Sequence, residues 1–169
     1  MTGAEFIAYA IATGSACGVK VGDNIEKFDF AIPLSHLDDV SGRGSSRTLR
    51  RDSGLLEATF GGSPDWSCQA LSLQIHRMVH SKDLRDEVFE KLNARFEPFT
   101  SWADIQFEYD RIPGSLPLDE LDEAPDYRIL QNRTSGVSVH IVNDSQAVRG
   151  DYPGTGDIWS LEIISPRFM

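Results

Sequence analysis

The sequence predicts an α+β fold in which an antiparallel sheet of four or five strands carries helices packed on one face. Three observations predict it. Residues 69–77 and 137–142 alternate apolar and polar side chains with period two, as strands buried on one side do. Other segments place apolar residues at helical spacing behind Ser, Asp or Asn caps. A turn signal, Gly61-Gly62-Ser63-Pro64-Asp65, joins two strand-like runs as a hairpin. Helices between strand groups would also suit a parallel sheet, but one-sided alternation fits a sheet covered on one face and solvated on the other.

Taken in order, residues 4–13 read as an amphipathic starting helix. Residues 23–32 read as a second, capped by Asp23 or Asn24, with Ile25, Phe28 and Ile32 at helical spacing before Pro33 stops it. Gly14, Gly18 and Gly22 mark turns. Residues 35–54 read as a polar loop holding the one basic concentration, Arg43, Arg47, Arg50 and Arg51. The hairpin strands are 55–60, with Leu56, Ala58 and Phe60 on one face, and 69–77, with Leu71, Leu73 and Ile75 opposed to Ser72, Gln74 and His76. Ser81 caps a helix from Lys82 to about Phe96, striped by Leu84, Val88, Phe89, Leu92 and Phe96. Thr100 or Ser101 opens another, with Trp102, Ile105, Phe107 and Tyr109 as its bulk. An acidic connection over 113–125 follows, and then strands at 127–131, 137–142 and 158–164, the last turning Trp159, Leu161 and Ile163 to the core.

At 169 residues with 40% hydrophobic content, the chain fits one α+β domain over 1–169, and no apolar stretch is long enough to span a bilayer. Phe6 to Ala12 is apolar, but no basic segment precedes it, so a secretory signal is not expected and the compartment reads as cytoplasmic. Cys17 and Cys68 are then expected to be reduced and buried, and without a C-x-x-C pair no structural zinc is expected.

Net charge is −10, and its distribution is uneven. Asp104, Glu108, Asp110, Asp119, Glu120, Asp122, Glu123 and Asp126 stand against Arg111 alone between 104 and 126. Such a surface repels phosphate, excluding general nucleic-acid binding, and attracts a basic protein. The bland alternative is that the acidity serves solubility.

Candidate chemistry is sparse. Cys68, His76, His140 and Glu57 would form a thiol–imidazole–carboxylate site if their strands were neighbours, with outward-facing histidines and a core cysteine as the structural alternative. His76 and His80 lack the glutamate of a zinc-binding H-E-x-x-H. The loop Gly42-Arg43-Gly44-Ser45-Ser46-Arg47 has Gly-x-Gly but neither the dinucleotide fingerprint nor a P-loop lysine, and with no strand leading in it reads as a polar loop. Asn132-Arg133-Thr134 and Asn143-Asp144-Ser145 match glycosylation acceptors, which carry meaning only in a secreted chain. For binding, the candidates are Trp66, an aromatic in a turn; the acids Asp119, Glu120, Asp122, Glu123 and Asp126; and the arginines Arg47, Arg50 and Arg51.

The run Arg47 to Glu57, with Trp66 and the strand Leu71 to Arg77, resembles small actinobacterial proteins that look like immunity partners of polymorphic toxins. Their leading Gly-Asp helix, R-R-D-x-G-L-x-E strand and S-W-x-D helix correspond to Gly22-Asp23, Arg50 to Glu57, and Ser101-Trp102-Ala103-Asp104, so the likeness covers roughly 19–164. The resemblance implies a stoichiometric toxin inhibitor with no turnover, no cofactor and no catalytic residues. The charge distribution adds the expectation of a basic target, for instance a nuclease. The competing readings are the small enzyme and an adaptor that self-associates through a sheet edge.

Overall fold

The structure is a computed structural model that describes residues 1–121 and 125–165. Asp122 and Glu123 lie outside the described residues. Helix α1 (Gly3–Thr13) starts with a capping box between Thr2 and Glu5 and ends at Gly14, whose φ of +64° gives the left-handed C-cap. Helix α2 (Ile25–Ala31) is capped by Asn24, which accepts from the Lys27 N–H; Asp23 instead accepts from the Lys20 N–H and pairs with Lys27. Helix α3 (Lys82–Leu92) stops four residues earlier than its stripe suggests, because Asn93 turns left-handed, and Phe96 beyond it packs edge-on against Phe6. Helix α4 (Trp102–Asp110) buries Trp102, Ile105 and Tyr109, while Phe107 points the other way and is 62% exposed.

The strands are β1 (Leu37–Ser41), β2 (Thr48–Asp52), β3 (Leu56–Gly61), β4 (Ser67–Leu73), β5 (Asp119–Glu120), β6 (Tyr127–Asn132), β7 (Val137–Val142) and β8 (Ile158–Ile164). Together they form one antiparallel sheet of eight strands among the described residues, not four or five, in the order β1-β2-β3-β4-β8-β7-β6-β5. Two meanders stand back to back, joined where β4 pairs with β8.

The extra strands come from segments read as loops. Residues 35–54 supply β1 and β2, and the inward side chains of β2 are Leu49 and Arg51 rather than two apolar residues. Arg51 is 5% exposed; it grips Asp38 of β1 bidentately at 2.8 Å and also meets Asp29 of α2, so a charge occupies a core position by being fully paired. The R-R-D-x-G-L-x-E run is correspondingly not one strand. It ends β2, turns at Gly54 (φ +75°) with the Gly54 N–H donating to Asp52, and begins β3.

Strand β4 ends at Leu73, before the predicted limit of Arg77. Ile75 and Met78 are both buried, and spacing of three suits the 3-10 turn Ile75–Met78 that follows.

Inward residues Phe60, Cys68, Leu71, Leu161, Ile163, Val137 and Val139 meet the helices in one core. Phe28 of α2 packs edge-on against Phe60 at 5.3 Å. Helix α1 is fastened to the β6–β7 turn through Asn132, whose amide donates to the Ile11 carbonyl and the Tyr109 hydroxyl while its oxygen accepts from the Thr134 and Ser135 N–H groups. The first glycosylation-like asparagine is therefore a buried hub. The helices gather on this face and at the β2–β3 end, where Gly54 lies against Leu84 of α3.

Candidate functional site

The opposite face of the sheet carries a polar row, Asp52–Glu57–Ser72–Glu162–Ser138–Gln131, running across six strands in register. All of its members are half or fully exposed. The 3-10 turn after β4 folds Arg77 and His76 onto this face. Arg77 donates to Asp52 at 2.8 Å and to the Gly54 carbonyl at 3.1 Å and pairs with Glu57, which Arg50 also reaches at 2.9 Å. Two guanidiniums and two carboxylates thus neutralise one another.

Beside this network stands a group of rings. The His76 imidazole lies flat on Trp159, with centroids 4.3 Å apart and planes within 6°. Its Nδ1 is 3.3 Å from the Trp159 carbonyl, which can only accept, so Nδ1 carries the proton. Tyr127 stands across the indole at 65° and 5.9 Å, and Tyr152 lies within 21° of its plane at 6.4 Å. His140 meets Tyr127 edge-on, and His80 meets Tyr152 the same way. Burial lowers the His76 pKa from its ordinary value, the Trp159 carbonyl and Glu57 opposing that only in part. Burial likewise raises the Tyr127 hydroxyl, with Asp126 adding to it.

Trp159 was expected in the core by strict alternation. The pairing shifts register between His140 and Ile141, so Ile158 and Leu161 point inward and Trp159 is half-exposed among the outward rings. Sequence reading missed Trp159, Tyr127 and Tyr152 as a group. The one available signal was Tyr152, an aromatic in a turn-rich segment with no core to enter.

The thiol–imidazole–carboxylate set is not assembled. His76, His140 and Glu57 do share the uncovered face, but Cys68 is inward and buried, and burial pushes its thiol up to about 12. Cys17 is half-buried and pushed up to about 11 by the same cause; both thiols are free.

The expected binding residues do not form one patch. Arg50 belongs to the network above, whereas Arg51 is buried on the other side of the sheet. Arg47 lies over Trp66 at 5.7 Å. Trp66 is half-buried against the core, and its carbonyl accepts from the Ile25 N–H, helping to fix the start of α2. Of the expected acids, Asp119 and Glu120 form the β5 edge and are paired, Asp119 with Arg133 at 3.1 Å and Glu120 with Arg128 at 2.7 Å; on α4, Glu108 meets Arg111 at 3.7 Å. Asp126 is exposed beside Tyr127. The Gly42–Arg47 loop is the β1–β2 connection, with a strand leading in after all.

Among the described residues no group of three or more His, Cys, Asp or Glu gathers as metal ligands do, and no helix is long and apolar enough to cross a membrane. No protein-family model, curated protein or solved structure matches this chain.

Proposed function

We propose that this chain is a protein-binding inhibitor of the immunity type, neutralising a toxin domain by one-to-one docking on the uncovered sheet face, without turnover or cofactor. The observation that carries the reading is the ring group of half-exposed Trp159 and Tyr127 with exposed Tyr152, on a face that the 3-10 turn Ile75–Met78 overlaps but no α-helix of the described residues covers. Stiff aromatic side chains with a polar rim lose little entropy on binding and dominate the energetics of protein interfaces. The acidic balance of the chain favours a basic partner and speeds its encounter.

The test is a pull-down from the native cell with the tagged wild-type chain and a Tyr152→Ala, Glu162→Lys variant, washed at low and high salt. A single stoichiometric partner that the wild type retains and the variant loses supports the reading. Equal retention by both chains removes the uncovered face from it.

One feature favours the adaptor reading. Strand β1 is an edge strand exposed along its length, with Leu37 80% exposed. An antiparallel β1–β1 pair centred on Asp39 would set that carboxylate against its own copy, which opposes a symmetric dimer. Sedimentation of the free chain over a hundredfold concentration range decides it, a constant monomer ending the self-association reading.

A further inference from the structure

The aromatic end of the uncovered face differs in its charged surroundings from the other ring contacts of the chain. Elsewhere the chain lays arginine over four of its rings, Arg95 over Phe89 at 4.6 Å, Arg111 over Phe107 at 5.2 Å, Arg149 over Phe99 at 5.4 Å and Arg47 over Trp66 at 5.7 Å, while the exposed Phe30 and Tyr9 have none among the described residues. Trp159, whose indole offers the strongest quadrupole of any side chain, has no cation over it among the described residues.

The fixed charges nearby have a sign. Arg50 and Arg77 are held by Asp52 and Glu57, so that network contributes little net charge. Asp126, whose charge acts on the Tyr127 hydroxyl, Asp151, next in sequence to Tyr152, and Glu162 in the polar row are exposed and have no ion-pair partner among the described residues. Near-parallel rings at the rim of a locally negative face suit a flat, weakly hydrated cation, which describes guanidinium better than ammonium.

We infer that Trp159, Tyr152 and Tyr127 receive an arginine side chain of a basic protein partner, its guanidinium stacked on the rings and met by Asp151 and Asp126. This rests on the reading of the chain as a protein binder and adds the chemistry of the contact.

The experiment is a titration of the isotopically labelled chain with acetyl-Gly-Arg-Gly-amide and with the same peptide carrying neutral citrulline, followed at the tryptophan indole N–H resonances. The arginine peptide is expected to shift the Trp159 resonance saturably, about tenfold more tightly than the citrulline peptide. Tyr152→Ala, at a side chain 60% exposed, is expected to weaken the arginine peptide severalfold, with the buried Trp102 resonance reporting that the fold is intact. Equal response to both peptides, a response confined to Trp66, or no saturable shift at Trp159 overturns the inference. If the peptides fail while Tyr152→Ala, Glu162→Lys still abolishes capture of a partner, the arginine assignment falls and the protein-binding reading stands.

Discussion

Replacing Asn132 with alanine removes the hub that fastens α1 and α4 to the β6–β7 turn, and its cost can be worked from who is left without a partner. Four hydrogen bonds of 3.1–3.3 Å are lost. The Ile11 carbonyl keeps the Ser135 hydroxyl at 2.7 Å, and Tyr109 keeps the Leu116 carbonyl at 2.7 Å. Thr134 is an exposed residue whose N–H can turn to water, which leaves the N–H of half-buried Ser135 as the one stranded. The cost is therefore that of the bonds themselves, about 0.5 kcal/mol each and about 2 kcal/mol in all, well short of that of several orphaned buried groups. Urea unfolding should show a lower midpoint with an unchanged slope. A double-mutant cycle with Tyr109→Phe should recover a coupling of about 0.5–1 kcal/mol. A loss under about 0.5 kcal/mol, or an absent coupling, would refute the hub; a loss above about 4 kcal/mol would refute the claim that its partners have substitutes.

Gly14→Ala places a Cβ 2.1 Å from the Ser135 carbonyl oxygen at φ +64°, whereas Gly62→Ala meets open space at φ +75°. Thermal unfolding should register only the left-handed penalty of about 1 kcal/mol at Gly62 and at least twice that at Gly14. Arg51→Met strands Asp38 and Asp29, which are one-third and one-half exposed, so about 2 kcal/mol should be lost at pH 7 rather than the larger figure for a fully buried pair. The hydrogen bond from Arg51 is the main cause holding the Asp38 pKa below its ordinary 3.8. That share of stability is complete above the unfolded value and drains as pH falls through the folded one, so an acid titration of the variant should lack it. Conversely, burial raises the thiols of Cys17 and Cys68 from 9.0 to about 11 and about 12, so their contribution is full below pH 9.0 and drains as pH rises towards those values. Cys68→Ala should flatten the alkaline limb, and neither native thiol should react with a disulfide reagent at pH 8 until denaturant is added. Glu57→Gln, on the solvated network, should cost at most about 1 kcal/mol in urea unfolding.

The α+β class, the four helices and the alternating strands were legible because apolar periodicity reports burial directly. What escaped were elements stabilised by something other than apolar residues. Strand β2 uses Arg51 where the pattern calls for a hydrophobe, and only the distant carboxylates of Asp38 and Asp29 make that tolerable. The register shift that turns Trp159 outward depends on which residue of β7 faces it, which no local pattern encodes. The expected binding residues were chosen by exposure of type, such as an aromatic in a turn and runs of charge. Tertiary pairing then buried Arg51, laid Trp66 against the core and tied the exposed Glu120 to Arg128, each by way of a neighbour remote in the chain or on the next strand. Beyond the signal of Tyr152 the ring group could not be read as a group, because it assembles β6, β8, a turn and a loop from positions up to 83 residues apart.

The back-to-back arrangement of the two meanders bears on how the chain is made. Strand β8 leaves the ribosome after the other seven described strands, yet its place is between β4 and β7. Until it arrives, β1–β4 and β5–β7 are separate ribbons, each with an unsatisfied inner edge next to apolar residues such as Leu71, Leu73, Val137 and Val139. Synthesis order and sheet order therefore oppose each other, and the nascent chain carries two sticky seams until its closing strand bonds both at once. The same arrangement means that a cut between α4 and β5 would divide the sheet at the β4–β8 pairing, leaving two open edges that match each other in register.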